Sequence, residues 1–311
     1  MQYAVISDIH ANYAALRAVV EDVAHLCALR KDTSNPIPFW FLGDLVGRGP
    51  DPVNCIKWLR NDSRIGKRWV PGNHDEWMVQ EIAVNGDAKV SLEKHRMLLK
   101  QEENGILREW FLRQIDLARE GGKRLAVFEE HNGIVVGFTH GSIAPDALRW
   151  RYLWPWMLIG LQTEFMHLQS VLTGRGFDSE GPVLLFSGHT HFPMWARRRE
   201  DGRAELMSIR YGEPMPLGDG MMLLNPGSVG SPYDGDPRAA YAIIDLDEKT
   251  VEFRRVTYPI AESTDLLFSE GYPDSLAERL RTGVANGVNG TDEYLRIYRR
   301  PTWDLEAISS G

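Results

Sequence analysis

Short apolar runs recur through the first two hundred residues, and each closes on a polar cluster. Residues 2–7 form the first run and end in Asp8-Ile9-His10. Leu16, Val19, Val20, Val23, Leu26 and Cys27 then keep three-to-four spacing, which places them on one face of a helix. Residues 39–42 are a second run, closing on Gly43-Asp44. Asp51-Pro52 offers an N-cap and a proline suited to the first helical position, so a helix is expected over 53–60. Residues 68–70 are a third run, followed by Pro71-Gly72-Asn73-His74-Asp75. Residues 76–130 read as helical and charged. Residues 134–139 form a fourth strand ending in His140-Gly141, and 183–187 a fifth ending in Gly188-His189-Thr190-His191. Between these two lie a tryptophan-rich segment and a helix near 161–172.

The pattern changes beyond residue 191. Residues 221–224, 240–245 and 251–256 read as strands joined by turns rich in Gly, Pro and Asp. Strands interspersed with helices mark an α/β fold. Residues 1–258 are expected to form one catalytic domain, with helical insertions at about 76–130 and 145–180. Residues 259–311 read as a tail with one short helix near 275–280.

Composition narrows the function classes. Of 311 residues, 43% are hydrophobic and 25% charged, which excludes a disordered or collagen-like chain. The net charge of −8 gives no reason to expect non-specific nucleic-acid binding, which needs a basic face. Cys27 and Cys55 stand far apart and outside any CxxC pattern, so both are expected as core thiols rather than a disulfide or a zinc site. Asp8 and His10 interrupt the first apolar run, which does not read as a signal peptide. The longest apolar run, residues 152–161, contains Pro155 and is half the length a membrane span needs. The expectation is a cytoplasmic protein.

The polar clusters carry the chemistry. Asp8/His10, Asp44, Asn73/His74, His140 and His189/His191 each follow an apolar run. Ligands of open α/β sheets bind beyond the carboxyl ends of the strands, so these residues are placed to converge. Imidazole, carboxylate and carboxamide together suit divalent ions such as Mn, Fe, Zn, Ni or Mg, and the set is too large for one tetrahedral zinc. It divides between two octahedral ions if one carboxylate bridges them. Such a pair, about 3.5–4 Å apart, clamps an in-line displacement at phosphorus and supplies a bridging hydroxide as nucleophile. Two divalent ions, two carboxylates and a hydroxide leave the inner site slightly positive, which favours a phosphate on an acidic protein.

Asp8-Ile9-His10, Gly43-Asp44-Leu45-Val46-Gly47-Arg48-Gly49, Gly72-Asn73-His74-Asp75, Thr139-His140-Gly141 and Gly188-His189-Thr190-His191 resemble the motifs of the calcineurin-like metallophosphoesterase superfamily. Asn225-Pro226-Gly227-Ser228-Val229-Gly230 and Asp234-Gly235-Asp236-Pro237-Arg238-Ala239-Ala240-Tyr241 resemble the C-terminal signature of its small bacterial members, a phosphodiesterase and phosphatase branch. The resemblance implies two β-sheets packed face to face and flanked by helices. It implies Asp8, His10 and His191 as ligands of one metal, Asn73, His140 and His189 as ligands of the other, and Asp44 as the bridge. His74 resembles the histidine near the leaving group, and Arg48 the phosphate-binding arginine of the protein-phosphatase branch. Gly47 departs from that branch, where an Asp orients the histidine. The stretch 43–50 is also similar to that of symmetrical dinucleoside tetraphosphatases.

The expected activity is therefore a two-metal hydrolysis, with manganese favoured, of a phosphomonoester or phosphodiester on a small molecule or nucleotide. A serine/threonine protein phosphatase and a dinucleoside polyphosphate hydrolase are the alternatives. A non-catalytic scaffold of the same fold, or a plain metal-binding module, is the reading from a different class. His25, His95, His131 and His167 lie outside the motifs and are expected to be ordinary surface or packed histidines, and Ser228 a turn residue. Residues 148–156 hold three tryptophans, a tyrosine and two arginines. They are expected to pack over the core, to stack a nucleobase or aromatic leaving group, or to meet another subunit. Arg149 and Arg151 are expected to meet a second phosphate or to face solvent.

Overall fold

The computed structural model describes residues 1–29, 36–65, 68–80, 86–120, 126–144, 150–177 and 181–284. Within them, two sheets lie face to face. The strands in chain order are β1 (Gln2–Ile6), β2 (Phe39–Phe41), β3 (Val127–His131), β4 (Ile134–Thr139), β5 (Val183–Ser187), β6 (Met194–Arg198), β7 (Ala204–Leu206), β8 (Met215–Pro216), β9 (Met221–Asn225), β10 (Ala239–Asp245) and β11 (Thr250–Val256). One sheet has the order β2-β1-β10-β11-β8 and the other β3-β4-β5-β9-β6-β7. The helices are α1 (Tyr13–Leu29), α2 (Pro52–Asn61), α3 (Asn73–Gln80), α4 (Gly86–Lys100), α5 (Gly105–Glu120), α6 (Leu158–Arg175), α7 (Ile260–Ser269) and α8 (Asp274–Thr282).

The period-two alternation of the strands sorts their side chains between cores. Tyr3 and Val5 of β1 join Trp40, Leu42, Val136, Phe138, Leu184, Phe186 and Leu224 between the sheets. Ala4 and Ile6 of the same strand turn the other way, onto Leu16, Val19 and Val23 of α1. On the far side, Val135, Leu185 and Leu223 meet Leu161, Phe165, Leu168 and Leu172 of α6. Strands covered on both faces must be apolar at every position, which is why β1, β2, β4 and β5 read as continuous runs rather than alternating ones. β1 pairs β2 in parallel, and β4 pairs β5 in parallel. Their carboxyl ends thus lie at one edge.

The differences from expectation have local causes. Residues 68–70 make no strand of their own, and only Trp69 bridges Phe41. The helical stretch does not reach residue 130: β3 pairs antiparallel with β4, His131 opposite Ile134. The intervening Asn132 and Gly133 have φ of 50° and 76°, the left-handed pair of a tight hairpin turn. His131 is accordingly a strand residue. β6 and the short edge pieces β7 and β8 are not resolved by periodicity. The helix expected near 275–280 is α8, and α7 precedes it. Asp51 caps α2 by accepting from Asn54 N at 3.0 Å, with Pro52 as its first residue. Both cysteines are free; Cys55 is buried, whereas Cys27 is half-buried and not a core thiol. No helix of the described residues is long and apolar enough to cross a membrane.

Candidate metal centre

The loops after β1, β2, β4 and β5, with the first turn of α3, bring Asp8, His10, Asp44, Asn73, His140, His189 and His191 together, all buried. The backbone bends sharply to do this. Asp8, His10, Asp44, Arg48, His189 and His191 all have φ between 48° and 69°, where side chains other than glycine are strained. Hydrogen bonds hold the bends. Asp8 N donates to Gly43 O at 3.0 Å, His10 N to Asp44 O at 2.9 Å, and His189 N to Asp8 Oδ2 at 3.0 Å. Asp75 Oδ1 accepts from Leu45 N and Val46 N, and its Oδ2 from Asp44 N and Gly72 N. Ser228 is the turn residue expected: its Oγ donates to Asp8 O and accepts from Ser231 N. Gly72 is required by close approach, since a Cβ there would lie 2.1 Å from Asp44 Oδ1.

The donor atoms fall into sets that share one carboxylate. Asp8 Oδ1 lies 3.8 Å from His10 Nε2 and 3.4 Å from His191 Nε2, and the two imidazole nitrogens are 3.2 Å apart. His140 Nε2 lies 3.2 Å from Asn73 Oδ1 and 3.2 Å from His189 Nδ1. Asp44 Oδ2 stands between the sets, 3.5 Å from His10 Nε2 and 3.4 Å from His140 Nε2.

The second ring nitrogen of each histidine sets its tautomer. A carbonyl can only accept, so the nitrogen facing it carries the proton. Nδ1 of His10, His140 and His191 faces the carbonyls of Val46, Leu42 and Ser231, and Nε2 of His189 faces that of Trp150. Each histidine therefore turns a lone pair towards the shared space, the arrangement that a carbonyl on the other ring nitrogen imposes on metal-binding imidazoles.

Charge points the same way. Burial lowers the pKa of His10 and His191 well below 6.5 and that of His189 to about 3, keeping them neutral as ligands must be. Burial, and then the charge of Asp44, raises Asp8 to about 7. His140 is the exception: burial disfavours a charge on it, but Asp44 outweighs this and draws the ring up to about 9, so an ion would have to displace that proton before His140 offers its lone pair. Asp8 Oδ1 is buried with no hydrogen-bond partner. Buried carboxylates, an orphaned oxygen and crowded lone pairs are what divalent cations would satisfy, so the residues fit a pair of ions.

His74 sits against this set, its ring 4.8 Å from that of His10. Its Nδ1 is buried without a partner and faces Gly47, where a Cβ would lie 2.2 Å away. Gly47, with φ of 84°, thus makes room for the ring as well as leaving it without an orienting carboxylate. Arg48 is half-buried, its backbone N–H on Ser91 Oγ at 2.9 Å and its guanidinium carbon 5.5 Å from the Tyr233 ring centre. Tyr233 in turn lies face to face with His191, 4.1 Å between ring centres.

Two parts of the site were not foreseen. His95 is fully buried: Gly47 N donates to its Nδ1 at 3.1 Å, and its Nε2 donates to Gly49 O at 2.8 Å. It braces the turn that carries Arg48. The signal available was Ser91 and His95 one helical turn apart, which places both on one face. Arg151, half-buried, pairs with buried Glu164 at 3.1 Å, which also accepts from Ser142 Oγ and Ile143 N. Leu148 and Arg149 lie outside the described residues. The tryptophan-rich segment reaches the centre through Tyr152. Tyr152 stacks on His189 at 4.1 Å, Trp154 on Tyr152 at 4.6 Å, and Trp156 on Trp154 at 5.0 Å. His25 is exposed, while His131 and His167 are half-buried.

The family model for calcineurin-like phosphoesterases matches residues 1–193. An uncharacterised protein of Methanocaldococcus jannaschii is 29% identical over 280 residues, 90% of this chain and 97% of that one. A symmetrical bis(5'-nucleosyl)-tetraphosphatase of Shewanella sediminis is 30% identical over 135 residues, 43% of this chain and 40% of its own length. Among solved structures, a metallophosphoesterase from Sphaerobacter thermophilus is 30% identical with a TM-score of 0.63, covering 91% of this chain and 99% of that one. A hypothetical protein from Pyrococcus horikoshii has a TM-score of 0.64 at 18% identity over 91% of this chain and 99% of its own, a likeness of fold.

Proposed function

The chain belongs to the calcineurin-like phosphoesterase family, and on that premise we propose that it hydrolyses phosphoesters of small molecules or nucleotides at a two-metal centre. The observation that carries this reading is the pair of donor sets joined through Asp44 Oδ2. Asp8, His10 and His191 hold one ion, and Asn73, His140 and His189 the other. Two divalent ions, manganese favoured among them, supply an activated water and offset the charge on the phosphoryl oxygens.

The chain's own groups complete the site. Asn73 is a neutral ligand, so it holds an ion without cancelling its charge. Arg48 spreads planar donors over non-bridging phosphoryl oxygens. His74 faces the leaving oxygen. Burial takes its pKa to about 3, outweighing the charge of Asp44, and Nδ1 has no partner to support an imidazolium. It is therefore a poor acid, and the site suits leaving groups that depart without a proton, such as aryl oxides, phosphates and nucleotides. Phosphoserine, whose alkoxide leaves poorly, is disfavoured, and with it a protein-phosphatase role. The stack of Tyr152, Trp154 and Trp156 begins on a ligand histidine and gives a flat ring a surface beside the reacting phosphate.

The test is release of p-nitrophenol from its phosphate and from its bis-ester, scanned over Mn, Ni, Co, Mg and Zn, with bound metal measured on the same samples. Two ions per chain and metal-dependent release support the reading. A chain that binds two ions and cleaves no phosphoester would be a scaffold.

A further inference from the structure

The family motifs end well before the C-terminal helices, yet α8 places a guanidinium beside the candidate site. Arg279 is 6% exposed. Its guanidinium carbon lies 5.6 Å from the ring centre of Tyr233, and that of Arg48 lies 5.5 Å from the same ring. Both arginines line one narrow cleft with Gly49, Gly230, Ser231 and Leu276. Tyr233 stacks on His191, so the cleft is one ring away from the metal centre.

The cations are short of partners. Arg279 Nη2 reaches Asp87 Oδ2 at 3.4 Å, and that oxygen already accepts from Ser275 Oγ at 2.8 Å. Arg279 Nε and Nη1 are buried with no hydrogen-bond partner, and so is Arg48 Nε. Of the two guanidiniums, Asp87 is hydrogen-bonded to that of Arg279. Burying an arginine with its donors unmet costs stability unless an anion meets them. The placement is also firm: Gly283 N donates to Arg279 O at 2.8 Å, and Gly235 N to Gly283 O at 2.9 Å, which ties the end of α8 to the loop carrying Tyr233.

We propose that Arg279 and Arg48 form a subsite for a second phosphate, next to the one at the metals, so that the preferred substrate carries a diphosphate or longer polyphosphate. This rests on the phosphoesterase reading and deepens it. Arg279 acts by binding, through charge-assisted hydrogen bonds that planar guanidinium makes to phosphate. Asp87 holds Nη2 of Arg279 and offsets part of the charge that the phosphate would meet.

The experiment titrates inorganic pyrophosphate and inorganic phosphate calorimetrically into the metal-loaded full chain. It also compares kcat/KM on ADP with that on p-nitrophenyl phosphate. In Arg279→Gln the pyrophosphate-to-phosphate affinity ratio and the ADP-to-aryl ratio both fall at least fivefold, and Arg279→Lys recovers part of each. Asp87→Asn raises the affinity ratio, which keeps the test open should Arg279→Gln fold poorly. Unchanged ratios in folded Arg279→Gln, or no rise in Asp87→Asn, overturn the subsite. If no metal supports hydrolysis of any ester, the proposed function falls instead, because the affinity ratios are read without turnover.

Discussion

Asp44 Oδ2 lies within 3.5 Å of a nitrogen from each donor set, and no other carboxylate oxygen of the centre is so placed. Asp44→Asn removes an anionic contact to both ions at once. Bound metal, measured by elemental analysis, should fall from two ions towards one or none, and kcat by more than about a hundredfold, beyond what outer-shell changes cost. Two ions retained with normal turnover would end the bridging assignment. His74 invites a different measurement. With Nδ1 unpartnered, His74→Ala should leave a plot of log kcat against leaving-group pKa steep in both forms. A flat wild-type line that steepens only in the variant would make His74 a competent acid. Gly47→Asp does not restore the protein-phosphatase arrangement, since its Cβ would strike His74 Nδ1 at 2.2 Å. It should displace the ring and lower activity on every ester.

At the scale of elements, the turn after β2 and its support on α4 decide how Arg48 is held. His95 is neutral in the fold, its Nδ1 accepting from Gly47 N, and burial takes its pKa to about 4 against 6.5 in the unfolded chain. Between those values the unfolded chain binds the extra proton. Stability therefore rises with pH through this window and is lost as pH falls from 6.5 towards 4, by up to about 1.4 kcal/mol per unit from this group. His10, His74, His189 and His191 move the same way and His140 the opposite way, so the test is a difference. His95→Gln should be less stable than wild type at pH 8 by about 1–3 kcal/mol for the lost buried hydrogen bonds. Denaturant titrations should show that gap narrowing towards pH 4, and a constant gap would refute the neutral-acceptor role. The stacked segment before α6 yields a third test. Trp154→Ala should change the ratio of activity on nucleotide esters to that on small aryl phosphates by more than threefold, from about 0.5–1.5 kcal/mol per aromatic contact. Equal loss on both would mean packing alone.

What the sequence revealed, and what it hid, divides along the range of the forces involved. β1, β2, β4 and β5 are legible because burial on both faces makes them unbroken apolar runs, and the ligands are legible because each follows such a run. β3 was masked by charged residues that read as helix, although Asn132-Gly133 marks its hairpin. Arg151 to Glu164 and Arg279 to Tyr233 are tertiary contacts with no local signature, and the helical spacing of Ser91 and His95 does not name the 47–49 turn as their partner.

For the molecule as a whole, the contacts made by residues after 258 predict that they belong to the working structure. Ser263 Oγ donates to Asn12 Oδ1 at 2.7 Å, and Asn12 in turn reaches Gly230 O and Tyr258, beside the Asp8–His10 loop. Leu267, Tyr272, Leu276, Ala277 and Leu280 form a small core of their own between α7 and α8. Side chains of this size contribute about 1.5–3 kcal/mol each when fully buried, so removing both helices forfeits several kcal/mol of a stability of order ten. A chain ending at Tyr258 should melt well below the full chain, and its metal content should fall because the Asp8–His10 loop loses its brace. A chain ending at Val284 keeps both helices and should match the full chain in melting temperature and bound metal. Should the shorter chain match it as well, residues 259–284 would be a passive tail, and the contacts of Asn12 and Arg279 would carry no weight in holding the centre.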